Sequence, residues 1–182
     1  MKRVIIVKNN NCENIIEKCN RCSISCNQKP LMDILRKSDI MIIGISAKMK
    51  ETEDEIPLSE NTNSGKLIKM IEERLLKENN NISCYRSNMV KCVPLDKDGK
   101  IRYPDILEIE NCIDNIVYEL SVVKPKVVVL LGRLVEKHLK KKINELGYNT
   151  ITIYHPSYIY VYRKKEIEKY VEESSKNILK YV

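Results

Sequence analysis

The sequence predicts an α/β protein, a three-layer α/β/α sandwich around a central, mainly parallel sheet of four strands. Two observations carry this expectation. Short apolar runs such as Asp39 to Gly44 and Lys126 to Leu131 end at glycine, as buried parallel strands do. Longer stretches with apolar residues at helical spacing separate them, and strictly alternating strands and helices place helices on both faces of a parallel sheet. A chain of 182 residues suits one domain with a real core, here residues 1–182, with residues 1–30 as a polar N-terminal segment.

The first strand runs from Asp39 to Gly44, and Ile45 to Asn63 is polar and reads as a long functional loop. Leu67, Ile68, Ile71 and Leu75 then mark a helix over Ser64 to Lys77, broken by Asn79 to Asn81. Ile82 to Val90 forms the second strand. Pro94 to Pro104 is a loop with a turn at Asp98-Gly99, and Asp105 caps a helix reaching about Val123. Lys126 to Leu131 is the third strand, closed by Gly132. The next helix reaches about Leu146, with Gly147 at its C-terminal cap. Asn149 to Tyr154 is the fourth strand, closed by His155-Pro156, and the last helix covers Lys164 to Tyr181. In such sheets ligands bind beyond the carboxyl ends of the strands. That rule gathers Gly44 and its loop, Asn88 to Cys92, Gly132 and His155 at one edge.

Composition narrows the function classes. Hydrophobic residues make up 43% of the chain, yet no apolar run is long enough to cross a bilayer. Met1 to Val7 is too short for a signal peptide and reads as an edge strand or arm, so a cytoplasmic monomer is expected. The net charge of +7 favours phosphate-bearing partners, although ordinary solubility charge is the simpler reading. The chain has ten Tyr but no Phe or Trp, so any base-stacking surface must use Tyr, His, Arg or aliphatic side chains.

Seven cysteines without secretory features point to metal or redox chemistry rather than a disulfide framework. Cys19-x-x-Cys22 can chelate one centre, while Cys92 follows a strand and Cys112 sits in the next helix. A thiolate-only set suits zinc or an iron–sulfur cluster. Cys12, Cys26 and Cys84 are left over. Cys26 is a possible substitute ligand, and Cys84 reads as a small buried hydrophobe.

Several stretches together resemble family 4 uracil-DNA glycosylases. Ser87 to Pro94 (SNMVKCVP), Arg102-Tyr103-Pro104, Glu108 and Cys112 follow that family's NxVKCxP…R.P…E…C tract. Cys19-x-x-Cys22, Val127 to Gly132, His155-Pro156-Ser157, Met41 to Gly44, Pro57-Leu58 and Gly65-Lys66-Leu67 match its other motifs. The resemblance spans about Cys19 to Tyr170. It implies hydrolysis of the N-glycosidic bond of uracil or a related deaminated base in single- or double-stranded DNA. It also implies a [4Fe–4S] cluster on Cys19, Cys22, Cys92 and Cys112. Four features depart from the pattern: Ile45 stands where the first motif carries a carboxylate, Leu58 where an aromatic stacks on the flipped base, Glu60 to Gly65 replaces a GxxG portion, and the loop from Cys92 to Cys112 is longer than the family's spacing. Family 5 enzymes, which are similar, take a carboxylate from the following loop.

The resemblance implies the site roles. His155 would donate to a base oxygen as charge develops, and Asn88 would read the base edge with an amide that both donates and accepts. Gly44, Ser46, Leu58 and Ser157 would contact substrate. Glu60, Asn61, Asn63 and Ser46 are the candidates for positioning water, with Glu60 and Asn63 taken as catalytic beside His155. A module that binds nucleic acid without chemistry, or an enzyme on another modified nucleobase, are the alternatives.

Overall fold

The computed structural model describes residues 14–182, so the N-terminal arm and Cys12 lie outside the described residues. Four parallel strands, β1 (Ile40–Ser46), β2 (Cys84–Val90), β3 (Val127–Leu131) and β4 (Asn149–Ile153), form a sheet in the order β2-β1-β3-β4. The chain runs outward from β1 to β2 and then crosses back to β3 on the other side of β1. The connections therefore diverge at β1, which opens a crevice at the carboxyl ends there.

Alternation along the strands divides the core into two layers. Met41, Ile43, Val128 and Leu130 face one side with Ile116 and Leu120 of α3 (Ile106–Val123) and Val135, Leu139 and Ile143 of α4 (Arg133–Glu145). Ile40, Ile42, Val127 and Val129 face the other, against Leu67, Ile68, Ile71 and Leu75 of α2 (Asn63–Glu78) and Val171 and Ile178 of α6 (Ile167–Leu179). Every strand residue in these two sets is at most 1% exposed. This is why β1 and β3 read as continuous apolar runs rather than alternating ones.

The helix starts follow local chemistry. The Thr62 hydroxyl accepts from the Gly65 amide at the head of α2. Asp105 and Glu108 form a reciprocal capping box at the head of α3. Gly147 takes a left-handed φ of 88° just past α4.

The last helix departs from expectation. The sequence predicts one helix from Lys164 to Tyr181, whereas the chain forms α5 (Pro156–Tyr162), a 3₁₀ turn (Lys164–Glu166) and then α6. Pro156 occupies the first helical position and His155 caps it, so the His-Pro pair that closes β4 also opens a helix. A short helix, α1 (Asn14–Glu17), and a 3₁₀ turn (Ser23–Cys26) lead into the extended segment before β1. That segment is stitched down at both loops of the crevice. The Leu31 amide donates to the Lys91 carbonyl at 2.8 Å, the Asn27 amide side chain to the Val93 carbonyl at 2.8 Å, and the Gln28 side chain to the Lys48 carbonyl at 3.2 Å.

Candidate active site

A cavity of about 360 Å³ lies at the carboxyl ends of the strands, within the size range of small-molecule pockets. Ile45 and Ser46 reach it from β1, Asn88 from β2, and His155 and Ser157 from the turn after β4. Tyr103, on the loop before α3, is the sole phenol on its wall among the described residues.

Gly44 makes room for the Asn88 side chain. The two residues are register partners in adjacent strands, and a Cβ on Gly44 would stand 2.6 Å from Asn88 Oδ1. Behind Asn88, the fully buried Lys91 ammonium donates to the Asn88 carbonyl at 2.9 Å and pairs with Glu119 at 2.5 Å. Ser87 and Tyr85 each donate to the same Glu119 carboxylate at 2.8 Å. A buried ion pair whose carboxylate accepts three donors holds a strand end rigidly. Lys91 and Glu119 carry no role in the sequence reading. Their signal is a lysine set among apolar residues in VKCVP and a glutamate on the buried stripe of α3.

His155 turns Nδ1 to Ser157, whose backbone N–H is 3.2 Å and whose hydroxyl is 2.7 Å away. With Nδ1 as the acceptor of that N–H, the neutral imidazole carries its proton on Nε2. Burial pulls the pKa below the ordinary histidine value, favouring that neutral form. Gly132 allows this approach: its φ is 87°, and a Cβ there would lie 3.1 Å from the His155 Cβ.

Leu58 lines the cavity with a left-handed φ of 56°, a strained state for a branched side chain. Arg86 holds it there, donating to the Leu58 carbonyl at 2.9 Å while pairing with Glu72. Glu60 and Asn63 stand away from this wall. Glu60 is on the surface, 3.7 Å from Lys69 and beside a different cavity, and Asn63 is exposed at the start of α2. The buried carboxylate of this loop is Glu55. It accepts from Ser59 Oγ at 2.5 Å, from Lys48 Nζ at 2.8 Å and from the Glu51 amide at 2.8 Å. Burial opposes its charge, but these donors outweigh burial and hold its pKa at about 2. Ser59 and Lys48 both line the cavity, so Glu55 sits one hydrogen bond behind its wall. No periodicity marks Glu55 among the many polar residues of its loop.

The four proposed cysteine ligands share one neighbourhood. The Asn115 side-chain amide donates to Cys19 Sγ at 3.7 Å and to Cys112 Sγ at 3.9 Å, and the Lys91 backbone N–H donates to Cys112 Sγ at 3.5 Å. Burial and the charges of Cys112, Cys22 and Cys19 push the Cys92 thiol up to about 12. Burial, Cys112 and Cys19 raise Cys22 as well. Cys19 moves the other way: burial opposes ionisation, but hydrogen bonds from Arg21 and Asn115 prevail. Cys26 is exposed, and Cys84 is raised to about 12, chiefly by burial. Among the described residues, no three His, Cys, Asp or Glu side chains stand in ready metal-binding geometry. No helix among the described residues is long and apolar enough to cross a membrane.

A parallel α/β sheet with a pocket beyond the carboxyl ends of its strands, beside the β1 crossover, defines the class of open α/β folds that bind ligands at that edge, and comparison narrows it. The family described as the uracil DNA glycosylase superfamily matches residues 33–178. A type-4 uracil-DNA glycosylase of Sulfurisphaera tokodaii is 31% identical over 133 residues, covering 72% of this chain and 56% of that protein. The chain therefore spans little more than half the length of that relative. The crystal structure of wild-type Pedobacter heparinus SMUG2 aligns with a TM-score of 0.59 at 17% identity, over 78% of this chain and 74% of that one. The chain belongs to the uracil DNA glycosylase superfamily.

Proposed function

We propose that this protein hydrolyses the N-glycosidic bond of uracil or a related deaminated base in DNA. The observation that carries this reading is the convergence of the Asn88 amide and the His155 imidazole on one base-sized cavity. The base is flipped out of the stack to enter it. Asn88 reads the donor–acceptor edge, its orientation fixed by Gly44 and its backbone by Lys91. As the C1′–N bond breaks, electrons flow to the base and negative charge builds on its oxygen. The Nε2–H of a neutral His155 donates to that oxygen. Water forms the new bond to C1′, and the proton it gives up ends on the departing base anion, which leaves as the neutral base. The Ser46 hydroxyl and the Ser59 hydroxyl, backed by Glu55, are the wall groups placed to hold that water. Glu60 and Asn63 would have to swing in with the loop to take this role.

The thiols of Cys19, Cys22, Cys92 and Cys112 suit a [4Fe–4S] cluster. Support for this comes from the mutual repulsion of the four when ionised and from the N–H···S bonds that Cys19 and Cys112 receive, of the kind that support metal-bound thiolates. The bound cluster supplies cross-linking: it pins the segment before β1 to the residues after β2.

The test uses oligonucleotides carrying U, hypoxanthine or xanthine, single-stranded and in duplex, scored for alkali-labile breaks. Breaks at one or more of these bases, lost in His155→Ala, are the expected result. Salt-sensitive binding with no abasic product overturns the enzyme reading.

A further inference from the structure

Beside the pocket, a file of tyrosines stands on the surface with no part in the core. Tyr154 and Tyr158 stack with ring centroids 5.6 Å apart and planes 26° from parallel, and Tyr158 and Tyr162 follow at 5.4 Å with planes tilted by 41°. Their exposures are 55%, 43% and 75%. The inward side of α5 is held by Ile159, 1% exposed, so the fold does not need these rings for its stability. The Arg163 guanidinium lies 5.8 Å from the Tyr154 ring centre, and the Lys164 ammonium 5.4 Å from that of Tyr160. Residues 154–165 hold four of the ten tyrosines and three cations, and Glu166, the next residue, pairs with Arg163, leaving Lys164 and Lys165 as the cations without a carboxylate partner in this segment. His155 and Ser157, within the same segment, line the pocket.

Exposed rings interleaved with cations form a surface that bases stack on while phosphates are drawn alongside. Base faces are available in this way only in an unpaired strand, because a duplex covers them with neighbouring pairs. We propose that Tyr154, Tyr158 and Tyr162 form a stacking track for the unpaired bases flanking the one in the pocket, which makes single-stranded DNA the preferred form of substrate. This rests on the reading of the pocket as a DNA-base site and extends it to the nucleotides around that base. The track is independent of the cluster and of any residue that touches the scissile bond.

The experiment measures fluorescence anisotropy of the full chain with labelled, undamaged oligothymidylate, alone and annealed to oligoadenylate, at fixed salt. The single strand is expected to bind more tightly. Tyr158→Leu and Tyr162→Leu are each expected to weaken single-strand binding about tenfold, leaving duplex binding unchanged. Tyr158→Phe and Tyr162→Phe are expected to bind like wild type, since stacking needs the ring and not the hydroxyl. Circular dichroism melts of the same variants establish that they are folded. Duplex preference, Leu variants that bind like wild type, or Phe variants that lose as much as the Leu ones would each overturn the track. Because the probe carries no uracil, the two readings separate. Binding as expected with no excision of uracil keeps the track and removes the glycosylase. Excision with unaffected Leu variants does the reverse.

Discussion

His155 carries two jobs on one ring. Nδ1 accepts the first free N–H of α5, and Nε2 is the donor to the base in the proposed reaction. Burial lowers its pKa, so the neutral ring persists as pH falls below the ordinary histidine value. The unfolded chain takes up that proton first. The stability this ring contributes is therefore present above the unfolded value and is lost as pH falls through the folded one. Histidine NMR, assigned with His155→Gln, is expected to show a midpoint below 6.5; a midpoint at or above that value would contradict the argument that burial keeps the ring neutral. His155→Ala removes one donor at the developing oxyanion and is expected to lower kcat by about 10²–10³-fold, read in single-turnover excision. Asn88 and Gly44 form a second residue-scale unit, in which the amide occupies the space that a side chain at Gly44 would fill.

At the scale of elements, the end of β2 is the best-braced part of the site. Lys91 ties the Asn88 carbonyl and Ser87 to Glu119 of α3, so strand and helix are locked where the base would be read. Lys91→Met leaves the Glu119 charge buried without its partner, and the expected loss is about 3–5 kcal/mol in urea unfolding. An unfolding midpoint unchanged from wild type would refute the bracing role. The short α5 does the corresponding work after β4, presenting His155 and Ser157 at its first turn and tyrosines along its outer side. In the sequence β4 closes at His155-Pro156 with no pattern that extends a helix from it. Only Pro156 and Ile159 are buried over those seven residues, too little for periodicity to register.

At the scale of the molecule, the segment before β1 is fastened to the crevice by Leu31, Asn27 and Gln28 and by the shared cysteine neighbourhood. If the four thiols hold the cluster, its loss should release this segment while the sheet persists. Cys92→Ser is expected to abolish iron and its visible absorbance, lower the Tm, and raise amide exchange over residues 19–31 ahead of the sheet. Full iron content in that variant would exclude Cys92 as a ligand.

The sequence by itself determined the four strands, their parallel arrangement with intervening helices, and the place of Asn88 and His155 at strand ends. These rest on local periodicity, turn residues and spacing, which a single chain displays directly, whereas the four-cysteine set and the roles of Asn88 and His155 rest on the family resemblance. Only the tertiary structure decided which polar residues of the loop from Ile45 to Asn63 approach the pocket. Glu55 is buried behind Ser59 and Lys48 while Glu60 faces Lys69, because long-range packing and hydrogen bonds, not pattern, orient a loop without periodicity. The same holds for Lys91 and Glu119, distant in sequence and joined by the packing of α3 on β2. The tyrosines are visible in the sequence as four residues in a short span, but their stacking needs the turn of α5 to bring residues four apart onto one side.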